Sequence, residues 1–494
     1  MKSFIIILVA ALLLIGLGLG LTKREKSAPH SHSPEAIGLC DEGTRDLNAF
    51  RLRAAVEKLG QCLELDPTLA EASIARTMAF SRLGERENEK MEMARADSLV
   101  LAIEDENRRM IAQLRLGTFG KSRFYAMRDS ILGKLETSDP KNIHVLVALA
   151  TKAGMGDDED SYEKAWLDIL DVDPNYANSY NMLGYMELNR GNYDQAIDYM
   201  QKYAFLAPDL ANPHDSLGEV LMVMGRYEEA EAEFRTSVTM QPDFYHSLIN
   251  LGKTYLARGQ LKRGLDILEK VRVQVAGSDL EKRVDNEIVM TFLIAGLDKE
   301  MQNMSALFIQ RYPDDGMSSL LRGVRLAYMG DMAKGKAVMD STLSIWRQGD
   351  EYQKYEKARQ NIDSAGYQFE ALAADATNNH EAAAWNWQRA IDLSGDKAQH
   401  NEWYLQYRLA AALLAIGKTD EAMAQIMPML ETNPRVINAL ILKVKCHLAL
   451  NQGDEARATL EQLQWSISKS DPDYPARQEA AELETRISAL AGSR

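Results

Sequence analysis

Prolines at 140, 174, 208 and 242 recur 34 residues apart, three times running, and each closes an amphipathic stretch. Their flanks read TSDPKN, DVDPNY, LAPDL and MQPDF. A fixed period of this length, in a chain of 494 residues that is too long for one ordinary core, points to stacked units rather than unrelated domains. Counting each unit from Ala177, Ala211 and Tyr245, position 7 holds Leu183, Leu217 and Leu251, and position 8 holds Gly184, Gly218 and Gly252. Position 15 is Gly191, Gly225 and Gly259, and position 17 is Tyr193, Tyr227 and Leu261. Position 20 is Ala196, Ala230 and Gly264, and position 24 is Met200, Phe234 and Leu268.

Apolar residues at helical spacing on both sides of a glycine-centred turn describe a helix hairpin. Small residues at 8 and 20 let two antiparallel helices approach closely. Glycine at 15 closes the first helix in a left-handed conformation, and proline at 32 ends the second. A 34-residue hairpin cannot bury both of its faces alone, so neighbours must stack. Hydrophobic content of 46% and charged content of 26% suit such a folded, all-α chain, and three cysteines make neither a disulfide framework nor a zinc site.

The pattern resembles the tetratricopeptide repeat (TPR), which has Leu-Gly at 7 and 8, Tyr near 11 or 17, Ala at 20 and 27, Phe at 24 and Pro at 32. The match is nearly complete in the units from 177, 211 and 245 and weakens outward in phase. A first unit starts at 36 (Gly43, Ala55, Cys62, Pro67), the next near 70 (Phe80, Gly84, Ala96), and others near 109, 143 and 282. Later units start near 316 (Gly323, Gly330, Met339), 364 (Ala383, Trp387, Ala390), 403 (Gly417, Ala422, Pro434) and 437 (Ala456, Leu460). The resemblance implies a right-handed superhelical solenoid of about twelve TPR hairpins. The expected divisions are an array over 36–348, best over 177–276, an insertion at 349–363, C-terminal units over 364–470 and a capping helix over 475–491. The units near 109 and 282 lack glycine at 8 and should pack more loosely.

In TPR proteins the first helices line a concave groove through positions 2, 5, 6, 9, 12 and 13. Here these include Asn178, Asn181, Tyr185 and Asn189, then Asn212, Asp215 and Glu219, then His246, Asn250 and Lys253. Asparagine can pair with an extended peptide backbone because it offers both donor and acceptor. The plainer reading of these residues is a solvated helix face. The Lys-5/Asn-9 clamp that some TPRs use for a terminal carboxylate is absent, and Asp215 and Glu219 would repel an acidic tail.

Residues Phe4 to Leu21 form an uncharged apolar run that would reach about 27 Å as a helix. Lys23, Arg24 and Lys26 follow where a cleavage site should open, so a transmembrane signal anchor over 1–22 is expected, with a polar linker over 23–35. This predicts a single-pass membrane protein, with the side of the body undecided. Gly16 and Gly20 could pack two anchors, and His30 and His32 read as solvated linker residues rather than a metal site.

A net charge of −15 argues against a nucleic-acid partner. No phosphate-binding, zinc-protease or nucleophile-elbow motif occurs, and GDDEDSY at 156–162 lacks the calcium-loop order. His214, Asp215 and Ser216 are consecutive on a helix and diverge, so they form no triad. No cofactor or metal is expected. Cys40 and Cys62 fall on facing helices of one hairpin. They are within reach of a disulfide, which would need an oxidising compartment, but the preferred reading is two small buried residues. The leading expectation is a membrane-anchored, non-catalytic scaffold that binds a protein or peptide in its groove. The alternatives are a structural subunit of a cell-envelope assembly using convex and edge surfaces, and an enzyme with a site in 282–363.

Overall fold

The computed structural model describes residues 33–494 apart from 120–121, 155–158, 295–296, 355, 395–402 and 493–494. The described residues form helices in antiparallel pairs. The first four pairs are α1/α2 (Pro34–Asn48, Leu52–Leu65), α3/α4 (Ala70–Leu83, Arg86–Leu101), α5/α6 (Glu106–Leu116, Arg128–Ser138) and α7/α8 (Ile143–Ala153, Glu159–Val172). The central pairs are α9/α10 (Ala177–Arg190, Tyr193–Leu206), α11/α12 (Ala211–Val223, Tyr227–Met240), α13/α14 (Tyr245–Ala257, Leu261–Gln274) and α15/α16 (Asp279–Ile294, Asp298–Arg311). After α17/α18 (Gly316–Tyr328, Met332–Gln348) the insertion forms a short α19 (Asp350–Lys354) and the first turns of a long α20 (Glu356–Ala376). The series ends with α21 (His380–Ser394), α22/α23 (Trp403–Ala415, Thr419–Thr432), α24/α25 (Ile437–Ala449, Gly453–Ser466) and a closing α26 (Pro475–Gly492). This is an all-α solenoid of stacked hairpins.

The close approach inside the central hairpins comes from the glycine at position 8. A Cβ on Gly184 would lie 2.8 Å from Met200 Cε, and one on Gly218 would lie 2.6 Å from the Phe234 ring. The residue that glycine 8 accommodates is thus the large side chain at position 24, more than the small one at 20. Position 20 meets the backbone instead: a Cβ on Gly264 would fall 2.8 Å from the Gly252 carbonyl oxygen. Gly191, Gly225 and Gly259 adopt φ of +80°, +73° and +72°, the left-handed geometry that lets the chain turn at the end of the first helix. Phe234, Trp166 and Trp387, all at position 24, are fully buried.

The solenoid winds back onto itself, and the loops of one turn rest on those of the next. The Gln241 side-chain amide donates to the Phe50 carbonyl at 2.9 Å, and the Phe50 and Phe244 rings meet edge to face at 5.9 Å. Further along, the Asn433 amide donates to Tyr227 Oη at 3.1 Å, and Arg435 Nη1 donates to Glu228 Oε2 at 2.6 Å. Arg435 also lies over the Tyr227 ring at 4.9 Å. Next to it the Asp471 amide donates to the Gly259 carbonyl at 3.0 Å, and Lys262 Nζ reaches Asp473 at 3.2 Å. In each case a turn within a hairpin (50, 225–228, 259–262) touches a loop between hairpins, roughly six repeats away in sequence.

Cys40 and Cys62 are joined by a disulfide with Cα atoms 5.5 Å apart, stapling α1 to α2. Helix α1 begins earlier than the expected linker end, because Ser33 caps it by accepting from the Ala36 amide and Pro34 occupies the first turn. The transmembrane helix expected over 1–22 and the linker up to 32 lie outside the described residues, as do 155–158 of the acidic turn. Among the described residues no helix is long and apolar enough to cross a membrane. This corrects the expectation of a single-pass membrane protein: the apolar residues of the described helices form stripes that pack hairpin on hairpin.

Candidate functional site: the inner face of the central repeats

Helices α9, α11, α13 and α15 follow one another as first helices of successive hairpins, and their positions 2, 5, 6 and 9 share one face. The polar residues there bond laterally from one repeat to the next. Tyr185 Oη donates to Glu219 Oε2 at 2.5 Å and lies 3.2 Å from Ser216 Oγ. The Asn250 amide donates to Glu219 Oε1 at 2.9 Å and to Asp215 Oδ1 at 3.2 Å. The Ser247 hydroxyl stands between Asp215 Oδ1 at 2.7 Å and Ser237 Oγ at 2.6 Å. One repeat further on, Lys253 Nζ pairs with Glu287 at 2.9 Å. The result is a ladder across four repeats.

Ten residues were expected to line a groove, and the structure divides them by exposure. Asn178, Asn181, Asn212, Asp215 and Asn250 are buried. Tyr185, Glu219, His246 and Lys253 are half-buried, and Asn189 is exposed near the end of α9. Asn212 donates to Tyr203 Oη at 3.0 Å beneath the face. Asn181 is fully buried, and neither of its amide atoms meets a hydrogen-bond partner among the described residues. His246 packs beside Phe244, next to the Phe50 contact between turns.

Burial dominates the electrostatics of this face. It raises the Asp215 carboxyl to about 7, helped by the neighbouring Glu219 carboxylate and opposed by hydrogen bonds from Ser247 and Asn250. Burial also lowers the His246 imidazole to about 3, with the Arg283 cation adding to the effect. For Lys253 burial pulls downward, but the Glu287 carboxylate overcomes it and the ammonium is held above its ordinary range. Burial and the Glu219 charge push the Tyr185 phenol well up, so it remains a hydrogen-bond donor.

Ser237, Ser247, Arg283 and Glu287 belong to this network but were not singled out from the sequence, and Ser216 was weighed there only as part of a triad. Ser216 and Glu287 share position 6 with Asn250, so the repeat frame itself carried that signal. His214, Asp215 and Ser216 have separate partners, Glu233, Ser247 and Tyr185, as expected for residues that diverge around a helix. Among the described residues no group of three or more His, Cys, Asp or Glu could hold a metal ion.

A second surface lies on the second helices of the hairpins. Leu65, Val172, Phe205, Met240, Val273 and Ile345 all fall at positions 29 or 30 and are exposed, Phe205 by 76%, Ile345 by 67% and Val273 by 65%. Sequence reading passed over them because isolated apolar residues look like core until burial is known.

Two family profiles described as tetratricopeptide repeat match the chain, over residues 165–198 and 216–279. No curated protein matches it. Similar solved structures include the Cut9–Hcn1 hetero-tetramer of the APC/C, at 13% identity and a TM-score of 0.41, covering 92% of this chain and 86% of that one. Yeast Tom70 is similar at 14% identity and a TM-score of 0.38, covering 92% and 96%. The type IV pilus biogenesis factor PilW is similar at 18% and 0.36, covering 42% of this chain and 94% of its own. With glycines 8 and 15 and the residue at 24 doing the packing work that the period implied, the chain carries tetratricopeptide repeats, matched directly over 165–198 and 216–279.

Proposed function

We propose that the chain is a non-catalytic interaction scaffold that holds a protein or peptide partner along the inner face of its central repeats. The observation behind this reading is the ladder from Tyr185 through Glu219 to Asn250 and on to the Lys253–Glu287 pair. Side chains already held by lateral bonds lose little further freedom when a partner arrives. Tyr185, Asn189, Glu219, His246 and Lys253 would meet the partner. Asn178, Asn181, Asn212, Asp215 and Asn250 lie behind or beside them and keep the face in shape. Donors and acceptors alternate along the ladder, which suits an extended backbone better than a single charged group.

The exposed apolar residues at positions 29 and 30 favour a second reading, in which the outer surface makes the contact. Partner recovery by the immobilised chain separates the two. Tyr185→Ala with Lys253→Gln should abolish recovery on the first reading, and Phe205→Asp with Val273→Asp should abolish it on the second. If neither pair alters recovery, both readings fail.

A further inference from the structure

A cleft runs between α16 and α17, the second helix of one hairpin and the first of the next. Two adjoining hollows of about 250 and 450 Å³ make it up, and they share Arg325 and Met329. The smaller has an apolar wall of Ala306, Ile309 and Leu326, with Met329 at its edge exposed by 75%. The larger adds Lys299, Gln302, Asn303 and Tyr328 to the lining.

The charge of the cleft runs against that of the chain. Lys299, Arg322 and Arg325 line it, and among the described residues none of them makes an ion pair. Their partners are carbonyl oxygens: Arg322 reaches Pro313 at 3.5 Å, and Arg325 donates to the Gln302 carbonyl. The carboxylate in the lining, Asp298, is already taken by Arg408 at 2.8 Å. The Gln302 amide nitrogen is buried and has no acceptor among the described residues. Three cations without a carboxylate partner among the described residues thus line a hollow, beside an apolar wall, on a chain of net charge −15.

From this we infer that the α16/α17 cleft binds a partner's peptide segment in which an acidic residue stands next to a medium-sized apolar one. The carboxylate fits among Arg325, Arg322 and Lys299, and the apolar side chain fits against Ile309, Leu326 and Met329. Arginine suits a carboxylate because its donors form a planar fork. The cleft uses none of the inner-face residues described above, so its failure would leave that reading intact.

The test is fluorescence anisotropy on the full chain with a labelled hexapeptide in which Leu is flanked by two Glu. Two control peptides carry Gln in place of Glu, or Ser in place of Leu. The Glu–Leu peptide should bind, and each control should bind at least about tenfold more weakly. Met329→Glu changes an exposed side chain and should weaken the Glu–Leu peptide by at least about tenfold while leaving the thermal unfolding midpoint in place. Arg322→Gln should weaken it and reduce its salt dependence, whereas Met91→Glu, at an exposed side chain far from the cleft in sequence, should change nothing. Equal binding of the three peptides, unchanged binding by Met329→Glu, or no binding up to about 1 mM would each overturn the inference. Self-association of the chain that Met329→Glu abolishes would assign the cleft to a second copy and overturn it as well.

Discussion

Replacing Gly225 by alanine should unsettle a helix pair some two hundred residues away, and replacing Gly191 should not. Both glycines occupy position 15 with φ near +80° and +73°, so alanine in either place costs roughly 1 kcal/mol of backbone strain. At Gly191 the nearest foreign atoms to a new Cβ are those of Tyr193 at 4.0 Å, and no further cost arises. At Gly225 the Cβ would fall 2.1 Å from Asn433 Oδ1, in the neighbouring turn of the solenoid. Asn433 would have to leave, giving up its bond to Tyr227 Oη and its acceptance from the Arg435 amide at 3.0 Å. Two buried hydrogen bonds are worth about 2 kcal/mol together, for a total near 3 kcal/mol. Arg435 would lose its seat over Tyr227 too. Solenoids unfold in parts, so hydrogen exchange by mass spectrometry reads this better than a single midpoint. Gly225→Ala should speed exchange in α23 to α25 as well as in α11 and α12, and Gly191→Ala only around α9 and α10. Equal, purely local effects from the two variants would refute the contact between turns.

Other consequences are open to measurement. Reducing the Cys40–Cys62 bond, which closes a loop of 22 residues, should destabilise α1/α2 by about 3 kcal/mol, seen as faster exchange confined to residues 33–83; unchanged exchange would count against the staple. Asp215 ionises at about 7 folded against an ordinary 3.8, so its contribution to stability is complete below pH 3.8 and is lost as pH rises through 7. Keeping it ionised above that costs on the order of 4 kcal/mol, and Asp215→Asn should flatten the decline between pH 4 and 7. His246 has the opposite sign: its contribution is present above pH 6.5 and lost as pH falls toward 3, so the Asp215→Asn protein should lose stability steadily on acidification. An unaltered pH profile would show that Asp215 is not held in this state. Gly218→Ala should cost about 1–3 kcal/mol by pressing on the buried Phe234 ring, and Phe234→Leu should recover part of it.

The hairpins were legible because their determinants are local: Gly184, Gly191, Ala196 and Met200 lie within one 34-residue unit, where Gly184 makes room for Met200. The winding of the solenoid onto itself was not, because Phe50 and Gln241, or Gly225 and Asn433, belong to units about six repeats apart. No periodic pattern links such loop residues. The inner-face positions came out at the right places in the frame but with a different exposure, since Asn178 and Asn181 are enclosed rather than open to a groove. Burial depends on what packs around a unit, which a single repeat does not reveal. The α16/α17 cleft was hidden for a similar reason, because Arg322 and Arg325 read as ordinary solvated cations until the helix facing them is in place.

Carbodiimide coupling gives the most direct view of how the turns meet, since it joins a lysine to a carboxylate only where the two already touch. Lys262 Nζ and Asp473 lie 3.2 Å apart across the turns, and Lys469 lies 3.6 Å from Glu228. Lys282 and Asp315, 2.9 Å apart in neighbouring repeats, serve as the internal control. Mass spectrometry of the coupled monomer should find the 262–473 link alongside the 282–315 link. Recovery of 282–315 without 262–473 would mean that the turns of the solenoid do not touch.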